Sequence, residues 1–115
     1  NFWEAINNQG IVLFEQDRRD AAIDRWRQAV EMSDGEAEPM LALAAALYGN
    51  GDDSANTLGL AVQALIKQPD YVLAAFQEDQ LWGPKLVEAT QELFKNEQVK
   101  GAVQRAKGLA TFQSN

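Results

Sequence analysis

Two segments of this chain overlay at a shift of 35 residues, and residue character is kept at each paired position. Ile6 falls over Leu41, Gly10 over Ala45, Leu13 over Tyr48 and Asp17 over Asp52. Further on, Ile23 falls over Leu58, Ala29 over Ala64 and Val30 over Leu65. A repeat of this length is the unit of stacked helical hairpins, because one hairpin cannot bury its apolar face alone and needs a neighbour. The constraint points to an all-α chain that presents a surface.

Composition agrees. Hydrophobic residues make up 46% of the chain, too many for disorder. Only three prolines are present, and Ala, Leu, Gln and Glu dominate, which favours helix. A single domain is expected over residues 1–115. The longest mainly apolar run, Met40 to Tyr48, is far short of the roughly 20 residues that span a bilayer. Direct membrane insertion by this segment is therefore not expected.

Net charge is −7, and an acidic surface repels phosphate backbones, so nucleic acid is not an expected partner. The acids are unevenly placed. Residues 1–80 hold 14 acids and 5 bases, whereas residues 81–115 hold 3 acids and 5 bases. The two ends can therefore attract each other, within the chain or between copies. Cysteine and histidine are both absent, which removes disulfides, thiol nucleophiles and the usual zinc ligands. No phosphate loop or nucleophile motif occurs. The expectation is a protein without catalysis, metal or cofactor. Because it opens on Asn1 inside a helical pattern, it reads as a fragment or processed form.

Apolar spacing predicts about seven helices, over residues 2–15, 18–32, 36–49, 53–67, 70–80, 84–95 and 97–112. Asp17 reads as the N-cap of the second helix, with Asp20 three residues on, and Asp52 or Asp53 as the cap of the fourth. Breaks fall at Ser33-Asp34-Gly35, Gly49-Asn50-Gly51, Pro69 and Trp82-Gly83-Pro84. Asn96 reads as the cap of the last helix, which Gly101 and Gly108 weaken by roughly 1 kcal/mol each.

The placement of small and large residues resembles the tetratricopeptide repeat. That family sets a small residue in mid first helix, matched by Gly10 and Ala45, and a large one a turn later, matched by Leu13 and Tyr48. Its second helix carries a small residue, an aromatic and an alanine, matched by Ala22, Trp26 and Ala29. Pro69 matches its closing proline. The second unit departs, with Thr57 and Ala61 in the places of Ala22 and Trp26, and Trp82 is a candidate to fill the gap at Ala61. The resemblance implies a short right-handed solenoid: repeats at 3–36 and 37–71, a degenerate repeat at 72–95 and a capping helix at 97–112. Together with the Gln80-Leu81-Trp82-Gly83 turn, the pattern is similar to tetratricopeptide proteins of cyanobacteria and chloroplasts. A cytoplasmic or thylakoid-associated setting would follow from that likeness; the residues themselves assign no compartment.

In that family the first helix of each hairpin lines a concave groove. The resemblance therefore implies a groove lined by Asn7, Ile11 and Phe14, then Ala42, Ala46, Gly49 and Asn50, then Leu73 and Phe76. Gln80 adds to the third strip, and Glu4 and Glu15 give an acidic lip suited to a neutral or basic ligand. The implied partner is a protein, bound as a peptide or helix segment whose apolar side lies against the bare middle strip. An adaptor, scaffold or assembly factor of this kind works by shape. Two other occupants stay open: the chain's own tail at 97–112, and N-terminal residues against Ile11 and Phe14. A homo-oligomerisation domain is the alternative function.

Other constellations have plainer readings. The arginines at 18, 19, 25 and 27 interleave with Asp17, Asp20 and Asp24 and read as surface pairs. Trp3, Trp26 and Trp82 read as core. The pairs Asp52-Asp53 and Glu78-Asp79 are adjacent in sequence, so their members do not face each other as a catalytic dyad would.

Overall fold

The computed structural model describes residues 2–113, and all regular structure among them is helical. The helices are α1 (Phe2–Glu15), α2 (Arg19–Ser33), α3 (Ala37–Gly49) and α4 (Ala55–Lys67). A 3-10 turn (Pro69–Val72) leads into α5 (Ala74–Asp79), followed by α6 (Pro84–Phe94) and α7 (Lys100–Leu109). The helix expected over 70–80 is thus broken at Leu73, whose backbone is extended, and α7 is shorter than the expected 97–112.

The all-α expectation holds, and so does its hairpin arrangement: α1 pairs with α2, and α3 with α4. The first pairing depends on a missing side chain. A Cβ on Gly10 would lie 2.6 Å from Nε1 of Trp26, whose side chain has no exposed surface. The indole therefore presses directly on the α1 backbone, and Phe14 closes it at a ring-centroid distance of 5.6 Å.

Helix ends depart from the expected caps. Asp17 is not the N-cap of α2. It sits in the left-handed region at φ 62°, and Arg18 N–H bonds back to Leu13 C=O at 2.9 Å, so it closes α1 in a Schellman-type end. Asp34 and Leu81 do the same at φ 57° and 70°. Leucine there is unusual, since a Cβ in this region crowds the backbone. The cap of α4 is Ser54, which accepts from Thr57 N–H at 3.4 Å. Asp52 instead accepts from Ser54 N–H, and the hydrogen bonds around Ser54 hold its carboxyl below the usual carboxylate value.

Packing is arranged around α3, in which every residue from Pro39 to Ala46 is buried. Helix α2 lies on one flank, α4 on another and α6 on a third. The last two units do not repeat the hairpin scheme. Helix α6 packs on α3 and α1, with only slight contact to α5. Helix α7 packs on α4 and the 3-10 turn. The chain beyond it is fastened where Asp70 Oδ1 accepts from Thr111 N–H at 2.7 Å and Phe112 N–H at 3.3 Å. An aromatic cluster of Tyr71, Phe76, Trp82 and Phe112 fills this end. The extents, 34 × 33 × 26 Å, show no long axis.

Glycine-to-alanine changes give opposite outcomes along this chain. A Cβ at Gly101 or Gly108 meets nothing within 4 Å, whereas one at Gly10 meets the Trp26 ring. Gly101→Ala and Gly108→Ala should each raise stability by about 0.5–1 kcal/mol in urea unfolding. Gly10→Ala should lower it by about 1–3 kcal/mol through overpacking. That loss should largely vanish when Gly10→Ala is made in a Trp26→Leu background, because the colliding ring is gone.

Candidate functional site

The nine residues expected to line a groove fall into four settings. Ala42 and Ala46 have no exposed surface, and Ile11 and Phe14 are buried in the core. The floor of the groove is closed, because α6 lies across the two first helices, α1 and α3, which would have lined it. Helix α7, within the 97–112 tail, packs instead on α4 and the 3-10 turn. Gly49 and Asn50 remain exposed at the end of α3. Leu73 is half-buried at the start of α5, and Phe76 is buried against Tyr71 and Phe112. Asn7 is buried in the wall of a separate acidic cleft, described below.

What stays open is the mouth, a cleft of about 450 Å3 where α1, α2, α3 and α6 meet. Phe14, Tyr48, Gly49 and Ala89 supply its apolar and backbone surface, with Arg19 and Lys85 as its cations. Asp17, Glu88 and Glu92 add the opposite charge. Each group is held. The Arg19 guanidinium lies 5.3 Å from the centroid of Phe14, and its Nη1 donates to Asn50 Oδ1 at 3.0 Å. Lys85 Nζ donates to Asp17 Oδ1 at 2.6 Å, which joins the end of α1 to the start of α6. This pair is one realisation of the charge difference between the two parts of the sequence.

The mouth is shaped by an unusual cap. Pro84 begins α6 after Gly83, and no side chain within the turn caps it. Glu15, at the end of α1, does so from outside: Oε1 accepts from Lys85 N–H at 3.1 Å and Oε2 from Leu86 N–H at 3.0 Å. A carboxylate here satisfies two orphan donors and meets the positive end of the helix. A Cβ on Gly83 would overlap this carboxyl, so a larger residue there would displace the cap.

Of the expected groove residues, the mouth brings together Phe14 and Gly49, while Asn50 does not line it but holds its Arg19. Leu73 and Phe76 line neither cleft. Sequence reasoning missed the α6 residues, Lys85, Glu88, Ala89 and Glu92. One signal was available: a Gly-Pro helix start without its own Ser, Thr, Asp or Asn cap must find an acceptor elsewhere. Trp82, a candidate to fill the space at Ala61, is engaged at the start of α3, where Nε1 donates to Glu38 Oε2 at 2.9 Å. Among the described residues no cluster of three or more Asp or Glu could hold a metal ion. No protein-family model matches the chain, and no curated protein matches it in sequence.

Removing the Glu15 carboxylate should loosen α6 before the rest. Glu15→Ala should cost about 1–2 kcal/mol, the range for a lost N-cap, with Glu15→Gln intermediate. Hydrogen exchange should quicken first at the amides of Lys85 and Leu86. Uniform loss of protection across α1 to α4 would count against a local role.

Proposed function

We propose that this chain is a non-catalytic protein-binding module that holds an amphipathic segment of a partner at the mouth between α1, α3 and α6. The observation that carries this reading is the mouth cleft itself. It is open, it joins Phe14, Tyr48 and Ala89 to exposed backbone at Gly49, and it is rimmed by charges of both signs. Those features suit a peptide or helix with an apolar anchor and polar flanks. An aromatic anchor burying about 100 Å2 there would contribute about 2.5 kcal/mol. Two or three such contacts support micromolar binding after ordering costs. The tetratricopeptide-like pairing of residues supports the same reading, since that family works by holding other chains.

Ala89→Trp should fill the cleft and Tyr48→Ala should remove its larger wall. Both should reduce capture of the partners taken by the unaltered protein at least ten-fold, with helical content unchanged by circular dichroism. Retention of the same partners by both variants would show that the mouth is not the binding surface. Homo-oligomerisation is the second reading, favoured by exposed Phe2 and Val12 on α1. A mass by light scattering that stays monomeric over a hundred-fold range of concentration would remove it.

A further inference from the structure

The second cleft, of about 400 Å3, lies where the start of α1 meets the approach to α3, the 3-10 turn and the end of α5. Its chemistry is one-sided. Glu4, Glu36, Glu38 and Asp79 line it, and no Lys or Arg is among its described lining residues. Two of these carboxylates are held only by neutral donors. Glu38 accepts from the Trp82 indole at 2.9 Å, and Asp79 from the Gln80 amide at 3.3 Å. Glu36 pairs with Lys67 at 3.6 Å, a cation outside the lining.

Asn7 is the second observation. It lines the same cleft, is only 1% exposed, and its buried Oδ1 has no hydrogen-bond partner. A buried amide without partners is costly and rare, and calls for a donor that the chain itself does not provide. The rings of Trp3 and Tyr71 complete the wall. Burial, and then the neighbouring Glu38, push the Tyr71 hydroxyl well above its ordinary pKa, so this ring stays neutral.

The acceptors call for a cation with several donors. A metal ion fits poorly, because no group of three carboxylates converges among the described residues. An ammonium is a compact charge that satisfies one locus at a time. A guanidinium carries five donors in one plane, spans separated acceptors and stacks on aromatic rings. We infer that this cleft binds the guanidinium of an arginine side chain presented by a partner protein. Only the source of the arginine rests on the reading of the chain as a protein-binding module; the recognition of the cation stands on the cleft alone.

The test is an amide NMR titration of the intact chain with N-acetyl-argininamide, and in parallel with N-acetyl-citrullinamide, which has nearly the same shape but no charge. The arginine compound should shift amides in the first half of α1, at 36–38 and at 79–81, and the citrulline compound should not. Asn7→Leu removes the orphaned acceptor; Glu38→Gln keeps an acceptor for Trp82 but removes the charge. Each should weaken binding at least five-fold, and Glu38→Gln decides if Asn7→Leu unfolds. Ala89→Trp, at the other cleft, should bind the arginine compound as the unaltered protein does, so failure at the mouth is distinguishable from failure here. Equal response to citrulline, unchanged affinity in Glu38→Gln, or shifts scattered over all acidic faces would overturn the inference. N-acetyl-arginine, with its amine blocked, keeps a free carboxylate that the acidic walls repel; binding as tight as that of the amide-capped compound would overturn the protein-borne source.

Discussion

Helix α3 cannot be exposed on any side, and the rest of the molecule follows from that. Eight consecutive residues, Pro39 to Ala46, are buried. At 3.6 residues per turn, eight in a row point in every direction around the axis. A helix that is apolar all round must be enclosed. Its hairpin partner α4 covers one flank and the preceding α2 another. A stack of two hairpins still leaves the flank carrying Ala42 and Ala46 open to water, and α6 closes it. Small side chains there allow a close helix approach, the same property that would have admitted a foreign segment.

Closing the groove from within requires that α6 be held in register by α1. Its N-terminus has no cap of its own, and the Glu15 carboxylate supplies two hydrogen bonds across about 70 residues of sequence. Asp17 and Lys85 add an ion pair whose groups are substantially exposed, so it contributes orientation more than stability. The stronger restraint is the cap, because an orphaned helix N-terminus against a packed neighbour loses both hydrogen bonds and charge complementarity.

How far the sequence discloses this depends on the range of the interaction. The family resemblance marked Gly10 as a place of close helix crossing and Trp26 as an aromatic of the crossing helix, and the structure brings the two into contact. Helix bounds were legible from apolar spacing for α1 to α4 and α6, but not for the helix broken at Leu73 or for α7, which begins only at Lys100. Caps were not: aspartate before a helix suits an N-cap, yet Asp17 and Asp34 serve in the left-handed position that ends the previous helix. Aspartate is acceptable in both roles, and only the loop length decides. The placement of α6 was illegible for a different reason. Its inward residues read as an amphipathic helix, and nothing in that pattern states which neighbour it faces. The bare strip on α3 was read as open to a ligand, whereas Ala42 and Ala46 have no exposed surface and α6 packs on the same helix.

This relocates where binding can occur. On the proposed reading, α6 packs on the helices that the repeat pattern would give to a partner, so recognition falls to the two clefts. One is the mouth, where apolar surface lies beside charges that are largely paired; a ligand there gains mainly by burying area. The other is the acidic cleft, where an unpaired amide oxygen and carboxylates held by neutral donors leave electrostatic demand unmet. Specificity comes more readily from the second kind of site, because a buried acceptor that lacks its donor penalises every ligand that does not bring one. A partner that uses both clefts would draw affinity from the mouth and selectivity from the acidic one, and α1 contributes wall to each.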